Sequence, residues 1–245
     1  MPYIAGLKAS DGYIFVASNI AGEGRKNGSV VRISDRCGAL ILTSNEEQLQ
    51  RLKKVLERCV SSTIKKTDDL ADGLIDRVLS SLKREFQEDG SYKTRPLTFL
   101  LLIVGANRLQ EGSLEHVYIR NRVTERKETE RGREYVTAFD IEPSVPAGNI
   151  FYGESDIIQY LARQLPCRSL PLNTIKILVP LSLKDSPDKT GTLASGIEMA
   201  SLSSEAGFNK METQELVSLY DKARKADSLL IEGLNNFTTV ARSNT

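Results

Sequence analysis

MPYIAGLKASDGYIFVAS, residues 1–18, is the stretch from which the architecture of this chain can be inferred. Two short runs of apolar, β-branched and aromatic residues, Tyr3–Leu7 and Tyr13–Ala17, flank the dipeptide Asp11-Gly12. An Asp-Gly turn between two such runs is the strongest short-range signal for a β-hairpin. We therefore predict that the chain begins with a strand at its first residues, with no arm or helix leading into it.

The composition is typical of an ordinary globular protein. Hydrophobic residues make up 40% and charged residues 27% of the 245 residues, enough chain for one large domain or two small ones. With 33 Lys and Arg against 32 Asp and Glu, the formal net charge is +1, so neither nucleic acid nor an anionic membrane is an expected partner. No apolar run reaches the roughly 20 residues of a membrane span, and no basic segment followed by an apolar one indicates a secretion signal.

Cysteine and histidine usage excludes several kinds of site. Cys37, Cys59 and Cys167 are widely spaced and odd in number, which is typical of neither a disulfide framework nor a metal site and favours a reducing cytoplasm. Because His116 is the single histidine, a Ser-His-Asp or Cys-His site would have to use it, and a multi-histidine metal site is excluded. We expect a cytoplasmic protein that holds no metal and no cofactor.

Strand and helix patterns follow one another along the rest of the chain. Period-two alternation or short apolar runs predict strands over Ser29–Ser34, Cys37–Thr43, Leu97–Val104, Leu114–Ile119, Glu134–Ile141 and Gly196–Leu202. Apolar stripes at helical spacing predict helices over Glu46–Ile64, Asp68–Phe86, Asp156–Leu165 (or from Gly153), Pro171–Leu183 and Lys210–Lys225. The segment Arg120–Arg133 carries many charges of both signs and no apolar period. We interpret it as a solvated hairpin tip or loop, with a docking surface as the minority alternative.

The order of these elements indicates the fold class. Helices come in pairs between antiparallel hairpins, whereas a doubly wound parallel sheet alternates single helices with strands. We predict an α+β protein built as a four-layer αββα sandwich, in which two stacked antiparallel sheets are each covered by a helix pair. Residues 1–233 form its single domain, and residues 234–245 form a polar tail.

Several motifs resemble those of one family, the proteasome β-type subunits, which are members of the N-terminal-nucleophile (Ntn) hydrolases. The first hairpin is similar to theirs, and Lys26-Asn27 before Val30–Ile33 is similar to the start of their third strand. Arg95-Pro96-Leu97 resembles the Arg-Pro-apolar strand after their second helix, and Gly191–Ala200 resembles their Gly-x-Ile-Glu-apolar-Ala strand. The resemblance runs from Tyr3 to about Leu219 and implies the αββα sandwich.

The resemblance also implies a site in which an N-terminal Thr attacks a peptide carbonyl, assisted by a Lys, an Asp and a backbone N–H that stabilises the oxyanion. Here the Thr position falls on Pro2, the Asp position on Ser18, the Lys position on Lys26 and the oxyanion position near Ser44. A supporting Ser of the family falls near Tyr152. Because Pro2 has no hydroxyl group, the family's reaction cannot start from this position.

Three functions therefore stay open. The first is a proteasome-like subunit that self-associates into rings, or joins related subunits, in a structural or regulatory role. The second is an active Ntn-type hydrolase of peptides with a displaced nucleophile, such as the Pro2 amine or a hydroxyl of Thr43-Ser44-Asn45, although a helix N-cap also explains the latter. The third is a non-proteolytic αββα binding protein. A hydroxyl or amine close to Lys26 favours the second, and apolar exposed faces on the first two helices favour rings.

Overall fold

The computed structural model describes residues 3–18, 27–43, 46–63, 72–88, 99–106, 114–130, 132–142, 145–153, 163, 169–183, 197–226 and 228. The strands are β1 (Tyr3–Lys8), β2 (Gly12–Ser18), β3 (Asn27–Ser34), β4 (Cys37–Thr43), β5 (Phe99–Ala106), β6 (Leu114–Thr129), β7 (Gly132–Ile141), β8 (Val145–Pro146), β9 (Ile150–Gly153), β10 (Ile197–Ser203) and β11 (Gly207–Lys210). The helices are α1 (Glu46–Thr63), α2 (Asp72–Lys83), α3 (Leu172–Leu183) and α4 (213–226), and a π-helical turn, Arg84–Glu88, extends α2.

The first sheet is built around the N-terminal hairpin. Strands β1 and β2 pair antiparallel from Ile4 opposite Ala17 to Lys8 opposite Tyr13, and the turn is closed by the Ala9 N–H, which donates to the Gly12 carbonyl at 2.9 Å. The sheet order is β11-β10-β2-β1-β9. The hairpin predicted from the Asp-Gly turn is therefore confirmed, and it lies in the middle of its sheet.

The second sheet has the order β3-β4-β5-β6-β7, and the short strand β8 pairs with β6 beside this path. All pairings between the described strands of both sheets are antiparallel. The apolar run at Leu100–Val104 lies in β5, at the centre of the sheet between β4 and β6. Such a run is typical of a strand covered on both faces.

Three hydrophobic clusters hold these elements together. The first joins one face of the β3–β7 sheet to α1 and α2, with Leu52 and Val78 fully buried in it. The second joins one face of the β1–β2 sheet to α3 and α4, through residues such as Ile175 and Leu216. The third contains residues of both sheets, among them Phe15 and Leu102. The α+β class predicted from the element order is confirmed.

The prediction for the charged segment is confirmed as a hairpin and not as a loop. In Arg120–Arg133, β6 runs to Thr129 and β7 starts at Gly132, so that most of the segment forms the two arms of a long hairpin. Opposite charges face each other across these strands, as Lys127 does with Glu134 and Glu128 with Arg133. Cross-strand ion pairs of this kind stabilise a strand pair without any apolar alternation.

Two short strands replace predicted helix or loop. Helix α4 starts at residue 213, because the segment Gly207–Lys210 pairs with β10 as β11 and buries Phe208. Gly153 is the last residue of β9, which pairs with β1, and is not a helix start. The predicted helix Asp156–Leu165 lies outside the described residues apart from Arg163, and the tail 234–245 lies outside them entirely. None of the helices that the structure describes has the length and apolar character needed to cross a membrane.

Candidate functional site

One of the four predicted site residues lies within the described part of the chain. Ser18 is the last residue of β2, whereas Pro2, Lys26 and Ser44 lie outside the described residues. Their neighbours in sequence are described: Tyr3 begins β1, Asn27 begins β3 and Thr43 ends β4. The site is therefore defined by where these neighbours lie.

The ends of β1, β2 and β3 come together at Gly28. A Cβ atom built on Gly28 would lie 2.7 Å from the Tyr3 carbonyl oxygen and 2.9 Å from the Ser18 carbonyl oxygen. Only glycine permits a backbone approach this close without a shift of the strands. Asn27 in turn pairs with Thr43 on β4. The start of β1, the end of β2, the start of β3 and the end of β4 thus meet at one end of the two sheets.

Ser18 is fully buried at this junction. Its exposed fraction is 0%, and its Oγ has no hydrogen-bond partner in the part of the chain that the structure describes. It lies opposite Ile197 of β10, and strand alternation puts it in the row of Ile14 and Val16, which face the cluster shared with α3 and α4. A neutral, buried hydroxyl cannot hold a lysine by charge as an aspartate does, nor can it reach a substrate in solution.

A carboxylate, Glu198 on β10, links the two sheets near the same end. Its Oε2 accepts hydrogen bonds from the Ser29 hydroxyl at 2.7 Å and the Val30 N–H at 2.8 Å, both on β3. The Lys210 ammonium lies 3.1 Å from Oε2, and the Lys53 ammonium on α1 lies 3.6 Å from Oε1. We call these five residues the Glu198 clasp. The sequence places Glu198 in a strand motif but contains no signal for this role.

The environment of Glu198 favours its charged form. Burial by itself raises the pKa of the Glu198 carboxyl, but the hydrogen bonds from Val30 and Ser29 and the charges of Lys210 and Lys53 together outweigh burial, so the pKa is lowered. The carboxylate therefore stays ionised at neutral pH, and its Oε2 accepts hydrogen bonds from two groups of β3. These properties suit a structural bridge better than a general acid or base, which needs a pKa near the working pH.

Tyr152, where a supporting Ser of the family falls, belongs to an aromatic cluster between the sheets. The Arg120 guanidinium donates to the Tyr152 hydroxyl at 3.1 Å and lies 5.6 Å from the ring centroid of Tyr118. Glu142 pairs with Arg120 at 3.2 Å. Burial, followed by the hydrogen bond with Tyr152, raises the pKa of Tyr118.

His116 lies within β6, as predicted, and is more buried than a surface strand residue, with 7% of its surface exposed. Its ring meets Tyr118 edge to face at a centroid distance of 5.0 Å, and its Nδ1 has no hydrogen-bond partner among the residues that the structure describes. Burial is the main influence on the pKa of His116, which is lowered, against the opposing effect of Glu142. No serine or cysteine of the described residues forms a hydrogen bond with His116, so no triad is assembled there.

Metal chemistry has no candidate ligands in the part of the chain that the structure describes, since no three His, Cys, Asp or Glu side chains converge there. Comparison with protein-family models and with curated proteins finds no match for this chain. The function has to be argued from the residues and their geometry.

Proposed function

We propose that this chain is a non-catalytic proteasome-like subunit with the four-layer αββα fold of Ntn hydrolases. Its role is structural or regulatory, within a ring of identical or related subunits in the cytoplasm. The support is the order of the elements, the two antiparallel sheets, and the three hydrophobic clusters, of which one contains residues of both sheets. This is the packing that a layered sandwich needs.

The observation that carries the proposal is the state of Ser18. At the strand-end junction where the resemblance implies a carboxylate, the chain has a buried hydroxyl with no hydrogen-bond partner among the described residues. The residue at the position where the resemblance implies the nucleophile is Pro2, which has no hydroxyl group. A site that lacks both the nucleophile and the carboxylate cannot run the threonine reaction. The fold is then retained for assembly.

The exposed residues of α1 and α2 indicate what kind of contact a ring could make through these helices. The exposed described residues of these helices and of the following turn are polar or charged: Glu46, Glu47, Gln50, Lys54, Glu57, Arg58, Asp76, Ser80, Lys83 and Arg84. Apolar exposed faces on these helices would favour ring assembly, and the described positions do not present them. This feature therefore does not support the ring, and any contact through the described surfaces of α1 and α2 would be polar.

The loss of catalysis is tested with peptides. Wild-type protein and the Ser44→Ala and Lys26→Ala variants are incubated with a mixture of unstructured peptides, and the products are identified by mass spectrometry. We expect no cleavage by any of the three proteins. Cleavage by the wild type that both substitutions abolish would contradict the proposal and support the hydrolase with a displaced nucleophile.

A further inference from the structure

A short strap closes the edge of the second sheet after β7. At its start the Glu142 N–H donates to the Tyr118 carbonyl at 3.0 Å, and at its end the Ala147 N–H donates to the Leu114 carbonyl at 2.7 Å. Between these anchors lies β8, whose two residues are both exposed and one of which is a proline with no N–H to donate. We call Glu142, β8 and Ala147 the strap. An exposed two-residue strand of this kind is typical of a segment that opens more easily than the core strands.

His116 lies on β6 directly beside the strap, opposite Val145 of β8. On its other side it pairs with Val104 of β5, and its Nδ1 is buried with no hydrogen-bond partner among the described residues. A protonated imidazole carries a positive charge and an N–H on both nitrogens, and an N–H buried without an acceptor costs free energy. The closed strap therefore favours the neutral ring.

The uncharged surroundings of His116 offer no compensation for a positive charge. The strands on either side of it, β5 and β8, contain no titratable side chain. Tyr118 packs against its ring edge to face, and Tyr13 of the facing sheet lies in the same hydrophobic cluster as Tyr118. Burial raises the pKa of both tyrosines, so both are neutral. Glu115, next to His116 on β6, points to the other face of the sheet by strand alternation.

The charged groups near His116 act in opposite directions. Lys8 of β1 lies opposite Tyr13 in the facing sheet, and its charge has the same sign as that of a protonated His116. Burial lowers the pKa of His116 and outweighs the Glu142 carboxylate, which raises it. That carboxylate lies 3.2 Å from the Arg120 guanidinium, so Arg120 competes with His116 for it. The closed strap therefore holds His116 neutral at neutral pH.

We propose that protonation of His116 opens the strap, so that this edge of the second sheet responds to acid. With the strap open, the ring reaches water and takes up a proton at its ordinary pKa of 6.5. Because the pKa of His116 is lower with the strap closed, the closed form loses stability as the pH falls below 6.5. Opening frees the edge of β6 from Leu114 to Tyr118. This inference concerns the fold of one chain and does not depend on the proposed function.

Amide exchange of the strap tests this inference. The protection factors of the Glu142 and Ala147 amides, corrected for the intrinsic pH dependence of exchange, are measured between about pH 7.5 and about pH 5.5. Uptake of one proton on opening should lower both protection factors by up to about tenfold per pH unit below 6.5. The hydrogen-bonded Ala9 and Phe208 amides of the first sheet should keep their protection, because the opening is local.

Variants identify the group that titrates. His116→Phe keeps a ring beside Tyr118 but cannot be protonated, so its strap protection should not depend on pH in this range. His116→Gln replaces it if the phenylalanine variant does not fold. Glu142→Gln is the matched control, because it removes the other titratable side chain at the strap. It should keep the pH dependence and extend it to lower pH, since the carboxylate that favours protonated His116 is gone.

Three results would overturn the proposal. The first is a wild-type strap whose protection does not change with pH. The second is a pH dependence that the His116 variants keep or that Glu142→Gln abolishes, which would assign the titration to the carboxylate. The third is a parallel loss of protection at Ala9 and Phe208, because the whole chain would then be opening.

Discussion

Two buried serines near the strand-end junction have opposite energetic roles. The Ser29 hydroxyl donates to Glu198 at 2.7 Å, whereas the Ser18 hydroxyl has no partner among the described residues. Burial removes water from both, but of the two only Ser29 recovers a hydrogen bond from the described residues in exchange. A serine with an unsatisfied hydroxyl is therefore a residue that the fold tolerates.

This contrast predicts the effect of removing each hydroxyl. Ser18→Ala should raise the free energy of unfolding by about 1 kcal/mol, because it removes a buried group that has no partner. Ser29→Ala should lower it by about 1–2 kcal/mol, because it leaves Glu198 with one hydrogen bond fewer. Chemical denaturation of the two variants beside the wild type measures both. A loss of stability in Ser18→Ala comparable to that in Ser29→Ala would show that the Ser18 hydroxyl does have a role.

The Glu198 clasp predicts a dependence of stability on pH. Because the pKa of Glu198 is lowered in the folded state, its stabilising effect is complete above the ordinary value of 4.5 and is lost as the pH falls through the folded value. Glu198→Gln should lower the free energy of unfolding by about 1–2 kcal/mol at pH 7. Below the folded pKa the variant and the wild type should converge.

His116 provides the internal comparison for this experiment. The pKa of His116 is also lowered in the folded state, from 6.5. As the pH falls, the stabilising effect of neutral His116 therefore starts to be lost below 6.5, whereas that of Glu198 starts to be lost only below 4.5. Because both proteins keep His116, its effect cancels when they are compared. A difference between Glu198→Gln and wild type that stays constant down to acid pH would contradict the role given to the carboxylate.

At the scale of elements, the junction depends on the close approach of β3 to β1 and β2. Gly28→Ala would place its methyl carbon 2.7 Å from the Tyr3 carbonyl oxygen, so the strands would have to move apart. We expect a loss of about 1–3 kcal/mol of unfolding free energy, measured by chemical denaturation. Ser29→Ala is the comparison, since it changes the next residue of the same strand without adding volume. Wild-type stability in Gly28→Ala would contradict the described junction.

Elements with local signals were predicted well, and elements held by distant contacts were not. The first hairpin carries its own turn, and α1 and α3 carry apolar stripes, so each follows from neighbouring residues. Strand β9 is four residues long and forms by pairing with β1, far away in the sequence. Strand β11 is fixed by β10 and by the Phe208 N–H, which donates to the Asp35 carbonyl. Single-sequence patterns do not contain such partners.

The predicted site residues stay a prediction, since only Ser18 of the four lies within the described residues. The resemblance led to Ser18, and the structure places it at the junction with the starts of β1 and β3. The Glu198 clasp could not be predicted, because its partners lie on β3, β11 and α1, and only the fold brings them together. The segment Arg120–Arg133 was interpreted as a hairpin tip or a loop, and its long strands could not be predicted because cross-strand charge pairs have no apolar period.

At the scale of the whole molecule, we propose that the fold serves assembly and not catalysis. The two sheets and their helices are held by extensive apolar clusters, while the described residues at the junction offer no exposed nucleophile. The exposed large apolar side chains among the described residues, Ile141, Val145 and Val217, lie on β7, β8 and α4. The proposed function therefore depends on whether the chain assembles into rings.

A native mass spectrum of the purified protein tests this claim most directly. The account predicts closed rings of about a dozen or more chains, seen as integer multiples of the chain mass that persist on dilution. The same spectrum shows whether Met1 is still attached, and so whether the Pro2 amine is free. A spectrum that contains only monomers or only dimers would contradict the ring and leave an αββα binding protein as the better description.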